Sequence, residues 1–227
     1  MKLRAHYQSL ADLFEYPDIG YPARVIKLTR LLDGNYDRAA AELEQFIELL
    51  PSDDLRAMQE LYTRTFDIQA ITTLDIGYVL FGDDYKRGEL LANLTREHRQ
   101  VNNDCRQELA DHLPNILRLI GKLKQDDLLD ELIDEIVAPA VAIMIREFNP
   151  DQVDRKNENY LKHYKTLLET PSDRKDVATL YRHALNALYA VLKQDFSFTE
   201  KTRKMHTSDF LRLVTRENEI EAEANHA

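Results

Sequence analysis

Apolar side chains recur at three- and four-residue intervals along most of this chain, the period of helices that bury one face. Tyr7, Leu10, Leu13 and Phe14 fall near one face of a helix expected from Lys2 to Glu15, which Pro17 ends. A second helix is expected from Pro22, whose missing N–H costs nothing in a first turn, to Leu32, ahead of the turn signal Asp33-Gly34-Asn35. A third covers Tyr36 to Leu50 and stops before Pro51. Ser52 or Asp53 is placed to cap a fourth, which carries Leu55, Met58, Leu61, Tyr62 and Phe66.

The apolar run from Thr73 to Phe81 contains Ile76, Tyr78 and Val79, which suit a strand, but its helical neighbours favour a helix. Gly82 ends it, and Asp83 or Asp84 caps the next helix, Tyr85 to about Val101. After a loop from Asn102 to Gln107, Asp111 reads as the N-cap of a helix reaching Lys124, with His112 and Pro114 in its first turn. A long helix is expected from Asp126 to Phe148, kinked where Pro139 interrupts its hydrogen bonding. Further on, residues 157–169 read as a short helix and Asp173 to Gln194 as a long one, with Leu180, Ala184, Leu188 and Val191 as its apolar stripe. A short amphipathic helix is expected around 209–215, and the acidic end from Glu219 has the composition of a disordered tail. The expectation is an all-α fold: one compact bundle of about ten helices over residues 1–196, followed by a partly disordered extension over 197–227.

Composition agrees with this. Gly (6) and Pro (7) are scarce, as they would not be in an all-β chain with many tight turns. The formal net charge of −10 repels phosphate backbones and argues against a nucleic-acid partner, whereas a basic peptide would suit it. With one cysteine, Cys105, no intramolecular disulfide can form, as expected in a reducing compartment. The first residues carry charges throughout, and no segment approaches the roughly 20 apolar residues that span a bilayer. A cytoplasmic protein without stable membrane association is expected.

The chain carries no Gly-rich phosphate loop, no nucleophile elbow and no zinc-protease motif, so no enzyme and no cofactor of its own are expected. His98, Cys105 and His112 stand seven residues apart, which is no metal-ligand spacing across a helix, a loop and a second helix. The six acids of DDLLDELIDE, from Asp126 to Glu135, read as a solvated helix face or as a lure for a cationic peptide. Lys86-Arg87-Gly88 reads as an exposed turn or as a partner for a carboxylate or phosphate.

Three blocks between Leu61 and Leu117 are more specific by their order than by any one of them. The first is Leu61-Tyr62 with Thr65-Phe66-Asp67. The second is Tyr78 to Asp83 with Arg87-Gly88. The third is Glu108-Leu109-Ala110-Asp111-His112-Leu113-Pro114. Together they resemble the central segment of the NarJ family, the cytoplasmic chaperones that assemble the molybdenum cofactor into respiratory nitrate reductases. The chain departs at Ala110, where many relatives have Pro. The resemblance covers about a quarter of the chain and does not reach its last third. It implies an all-helical chaperone that binds the N-terminal segment of an apo molybdoenzyme catalytic subunit until the cofactor is in place, with cofactor-delivery proteins as further partners. It also implies a client-binding groove carrying Tyr78, Phe81, Asp83, Arg87, Asp111, His112 and Pro114. The competing expectation is a generic helical adaptor with no molybdoenzyme client.

Overall fold

The structure, a computed structural model, describes residues 4–124, 126–156, 179–196 and 198. Their helices are α1 (His6–Asp12), α2 (Tyr21–Leu32), α3 (Asp37–Leu49), α4 (Leu55–Phe66), α5 (Ile76–Phe81), α6 (Tyr85–Gln100), α7 (Leu113–Lys122), α8 (Asp126–Leu132), α9 (Ala138–Glu147) and α10 (Tyr181–Asp195). Residues 150–156 are helical as well. Among the described residues there is no strand, and an isolated β-bridge joins Asp75 to His112. The all-α bundle expected from the sequence is therefore present. The expected helices at 157–169 and 209–215, residues 173–178 of the last helix, and the extension apart from Phe198 lie outside the described residues.

Helix α7 is the axis of the bundle. All eight residues from Leu113 to Ile120 are buried, so it is covered on every side. Helix α1 packs along it, α2 packs on α3, and α10 lies against both α3 and α9. Tyr181 at the head of α10 is the hub of an aromatic cluster. Its ring meets Phe46, Tyr62 and Phe66 edge-on, with centroids 5.4, 5.9 and 4.9 Å away. Such edge-to-face contacts add about 0.5–1.5 kcal/mol per pair beyond the area they bury.

Several element ends differ from the sequence expectation for physical reasons. Helix α1 stops at Asp12 rather than Glu15, because the chain tightens: Leu13 N donates to Leu10 O and Phe14 N to Ala11 O. The carbonyls freed at that end are satisfied by tyrosines, Tyr21 Oη donating to Leu13 O at 2.7 Å and Tyr62 Oη to Phe14 O at 3.1 Å. Asp54, not Ser52 or Asp53, caps α4, its carboxylate accepting from Ala57 N at 3.0 Å. Asp84 caps α6. The segment before Phe81 is helical only from Ile76, and Asp75 is extended enough to pair with His112.

The long helix expected from Asp126 to Phe148 is interrupted by one π turn, Ile133–Val137. The cause is Pro139, which has no N–H to give to residue 135 and whose ring crowds that carbonyl. Ala138 N bonds instead to Ile133 O, five residues back, and the wider turn lets Pro139 sit in the first turn of α9.

Candidate functional site

The three sequence blocks converge at one corner of the bundle. Leu74 and Asp75 run beside the turn at 109–113: Ile76 N donates to Asp111 O at 3.1 Å, and Leu113 N donates to Leu74 O at 2.8 Å. These two bonds fix the starts of α5 and α7 against each other. Arg87, in the first turn of α6, then closes the corner. Its Nε donates to Asp111 Oδ2 at 3.0 Å and its Nη2 to Asp75 Oδ2 at 2.9 Å. The rigid fork of a guanidinium suits this bridging of two carboxylates, which the point charge of a lysine would not reproduce. The Arg87 guanidinium also lies over the Tyr78 ring, 5.3 Å from its centroid. On the other side of Asp75, His112 Nδ1 is 3.1 Å from Asp75 Oδ1.

Asp111 is wholly buried. The sequence reading of Asp111 as the N-cap of α7 is corrected: the cap position is His112, which makes no side-chain cap bond. Asp111 turns inward because Gly77 leaves room for it. A Cβ on Gly77 would lie 2.5 Å from Asp111 Oδ2. Burial raises the Asp111 carboxyl above its ordinary range, with Arg87 opposing. At the more exposed Asp75, burial also acts upward, but His112 and Arg87 together outweigh it and hold the carboxyl below that range. Arg87 loses solvation on burial yet is held more firmly protonated by Asp111 and Asp75.

The other expected site residues divide. Tyr78 and Phe81 are half-buried on α5, where Phe81 packs on the core. Pro114 is buried in the first turn of α7. Asp83 is exposed in the turn between α5 and α6 and takes no part in the Arg87 contacts. Lys86 is exposed beside the inward-turned Arg87, so the basic pair splits between solvent and interior. At the rim stand Glu108, 4.0 Å from the His112 ring, and Asp67 at the end of α4. Desolvation raises the Asp67 carboxyl, Glu108 raises it further, and His112 acts against both.

Sequence reasoning missed Asp75 and Gly77. A usable signal existed: a glycine within a short apolar helix marks a close approach, and the acid two residues earlier sits where a helix begins. It also missed a second polar chain behind the corner. His98 on α6 is 2% exposed. Its Nε2 is 2.9 Å from Ala110 O, and its Nδ1 accepts from Asn103 Nδ2 at 2.8 Å. That pattern assigns a neutral ring protonated at Nε2, in line with the downward push of burial on His98. Asn103 Nδ2 also reaches Asn115 O at 3.0 Å, Asn115 Oδ1 accepts from Arg118, and Arg118 pairs with Glu15.

Between α6 and the 101–110 loop lies a cavity of about 640 Å³. Among the described residues no group of three or more His, Cys, Asp or Glu side chains is arranged to hold a metal ion, and no helix is long and apolar enough to cross a membrane. Neither protein-family models nor curated protein sequences give a match to this chain.

Proposed function

We propose that this chain is a NarJ-type assembly chaperone. It binds the N-terminal segment of an apo molybdoenzyme catalytic subunit in the cytoplasm, supports insertion of the molybdenum cofactor, and then leaves the enzyme. The client is a nitrate reductase or a relative in the same molybdenum class, such as a nitrite oxidoreductase, a selenate or perchlorate reductase, or a hydrocarbon dehydrogenase. The chain performs no chemistry of its own. One observation carries the reading: the motif residues Tyr78, Arg87, Asp111 and His112 gather in a single corner, although the blocks they come from are separated in sequence.

The arrangement suits holding rather than catalysis. Arg87 is locked between two carboxylates, which fixes the corner as a rigid platform. Asp67 and Glu108 line its rim with negative charge, and Ile68 and Leu109 beside them are half-exposed. A basic amphipathic segment is complementary to such a surface, its apolar anchors on the exposed side chains and its cations on the rim acids. Calorimetric titration with the N-terminal segments of molybdoenzyme catalytic subunits from the same cell tests this. Saturable binding at micromolar concentration is expected for one of them. Absence of binding to all of them, with an unrelated chain recovered when the protein is purified from its own cell, would establish the generic adaptor instead.

A further inference from the structure

We infer that the cavity between α6 and the 101–110 loop is a socket for an arginine side chain of the bound client segment. This rests on the chaperone reading and adds to it a location and a ligand chemistry. At about 640 Å³ the cavity is within the size range of ligand sites and has room for one long side chain with water.

Its lining is rich in acceptors whose donors are already committed. Thr95 Oγ1 donates to Leu91 O at 2.7 Å, His98 holds Ala110 O, and both hydrogens of Asn103 Nδ2 go to His98 and Asn115. Asn103 Oδ1 is buried and has no hydrogen-bond partner among the described residues. The amide cannot be reversed to relieve this, because its nitrogen faces two acceptors. Leaving a buried acceptor unpaired costs about 1–3 kcal/mol, so a donor that reaches it gains there. Asp104 and Glu108 line the same cavity, with the exposed Arg99 also in its lining and Lys122 Nζ donating to Asn102 O at 3.0 Å beside it. The C-terminal end of the 16-residue α6 adds the negative pole of its dipole.

A ligand for this lining must bring several donors and a positive charge. Guanidinium brings five N–H groups in a plane, enough for several acceptors at once, and its aliphatic stem suits the half-exposed Leu109 wall.

Cys105, the sole cysteine, lines the cavity and reports its occupancy. The rate at which iodoacetamide alkylates Cys105 in the full chain is measured with millimolar N-acetyl-arginine amide or its neutral isostere, N-acetyl-citrulline amide. Arginine is expected to slow alkylation several-fold and citrulline to leave it unchanged. Glu108→Gln, at a largely exposed side chain that the fold does not need, is expected to remove the protection. Equal protection by both amides, or none by either, overturns the inference. With a client segment, replacing its arginines by citrulline is expected to weaken binding roughly tenfold, the loss of one charge-assisted hydrogen bond. A segment that binds tightly yet neither protects Cys105 nor responds to Glu108→Gln overturns the socket and leaves the chaperone reading standing. Protection by arginine amide with no segment binding overturns the chaperone reading and, with it, the occupant named here.

Discussion

At Asp195 one carboxylate gathers donors from the far end of the chain, while at Arg87 one guanidinium gathers two carboxylates from nearby. Asp195, the last residue of α10, is 2.8 Å from His6 Nε2 and accepts from Tyr7 Oη at 3.1 Å and from Tyr36 Oη at 2.7 Å, partners 159–189 residues away in sequence. Arg87 reaches Asp75 and Asp111, only 12 and 24 residues away. The first cluster fastens α1 and the start of α3 to the end of α10 and uses its carboxylate on the fold itself. The second makes a stiff local corner and leaves Asp67, Glu108 and one edge of His112 at the surface. A clasp that closes topology and a platform that presents a rim need the same chemistry, so residue types alone do not separate them. Burial and the destination of each polar atom do.

Emptying the corner should do the most damage. Asp111→Ala removes a fully buried carboxylate and leaves the half-buried Arg87 with Asp75 alone. Breaking a buried ion pair from one side costs about 3–5 kcal/mol. Urea denaturation should show a loss of that order, larger than that of Asp195→Ala, two of whose three partners, His6 and Tyr36, are partly exposed and keep access to water. If Asp195→Ala proves the more damaging, the corner is not a rigid element.

Gly77→Ala strikes the same point from the neighbouring helix. The added methyl would sit 2.5 Å from Asp111 Oδ2 and 3.1 Å from Leu90 Cδ2. Because Arg87 holds the carboxylate in place, the clash cannot be relieved by a simple swing of Asp111. Overpacking of this kind costs about 1–3 kcal/mol. In the Asp111→Ala background the methyl has space, so Gly77→Ala should cost clearly less there than in the wild type. Additive losses in the double-mutant cycle would show that the two residues do not oppose each other.

Acid separates the clusters by sign. Burial acts upward on Asp195, but His6, Tyr36 and Tyr7 together hold it below the ordinary value of 3.8. A carboxyl depressed in the folded state contributes stability that is complete above the unfolded value and is lost as pH falls through the folded one. The stability gap between wild type and Asp195→Asn should therefore shrink as pH is lowered below about 4. At the Arg87 corner Asp75 is depressed but Asp111 is raised, and a raised carboxyl gains stability as pH falls, so the two oppose each other. The gap between wild type and Asp111→Asn should widen as pH falls toward about 4 from above, before the gap at Asp195 begins to close. Parallel curves for the two variants would contradict the environments described for both carboxyls.

The ten labelled helices were legible in the sequence because each is set by its own local period, and so was the order of the three blocks, but the helical run at 150–156 was not. The π turn was half-legible: Pro139 announced a disturbance, but whether it kinks or widens a helix depends on which carbonyl the neighbouring N–H can reach. Asp111 was visible as a residue and misread as a cap, since a cap and a buried counter-ion look alike until Arg87 and Gly77 are in place. The Asp195 clasp was not legible at all, because nothing near position 195 refers to His6, Tyr7 or Tyr36. The polar chain from His98 to Glu15 was hidden for the same reason, its members lying on α6, α7, the loop between them and the end of the first helical segment.

His112 is where the smallest effect on stability should accompany the largest effect on binding. Its ring meets Asp75 at 3.1 Å and is partly exposed, and its removal leaves Asp75 still paired with Arg87. His112→Ala should cost about 1 kcal/mol, the net worth of one partly exposed hydrogen bond. On the client side it takes away a group standing between Asp75, Glu108 and Asp67, the place where the rim charges converge. Client-segment affinity, measured by calorimetry on protein shown to be folded, should fall further than stability does. In Asp111→Ala the order should reverse, with stability falling most and the binding of each folded molecule changing least. Should His112→Ala leave affinity unchanged, the rim has no part in holding the client, and the corner is a second clasp like the one at Asp195.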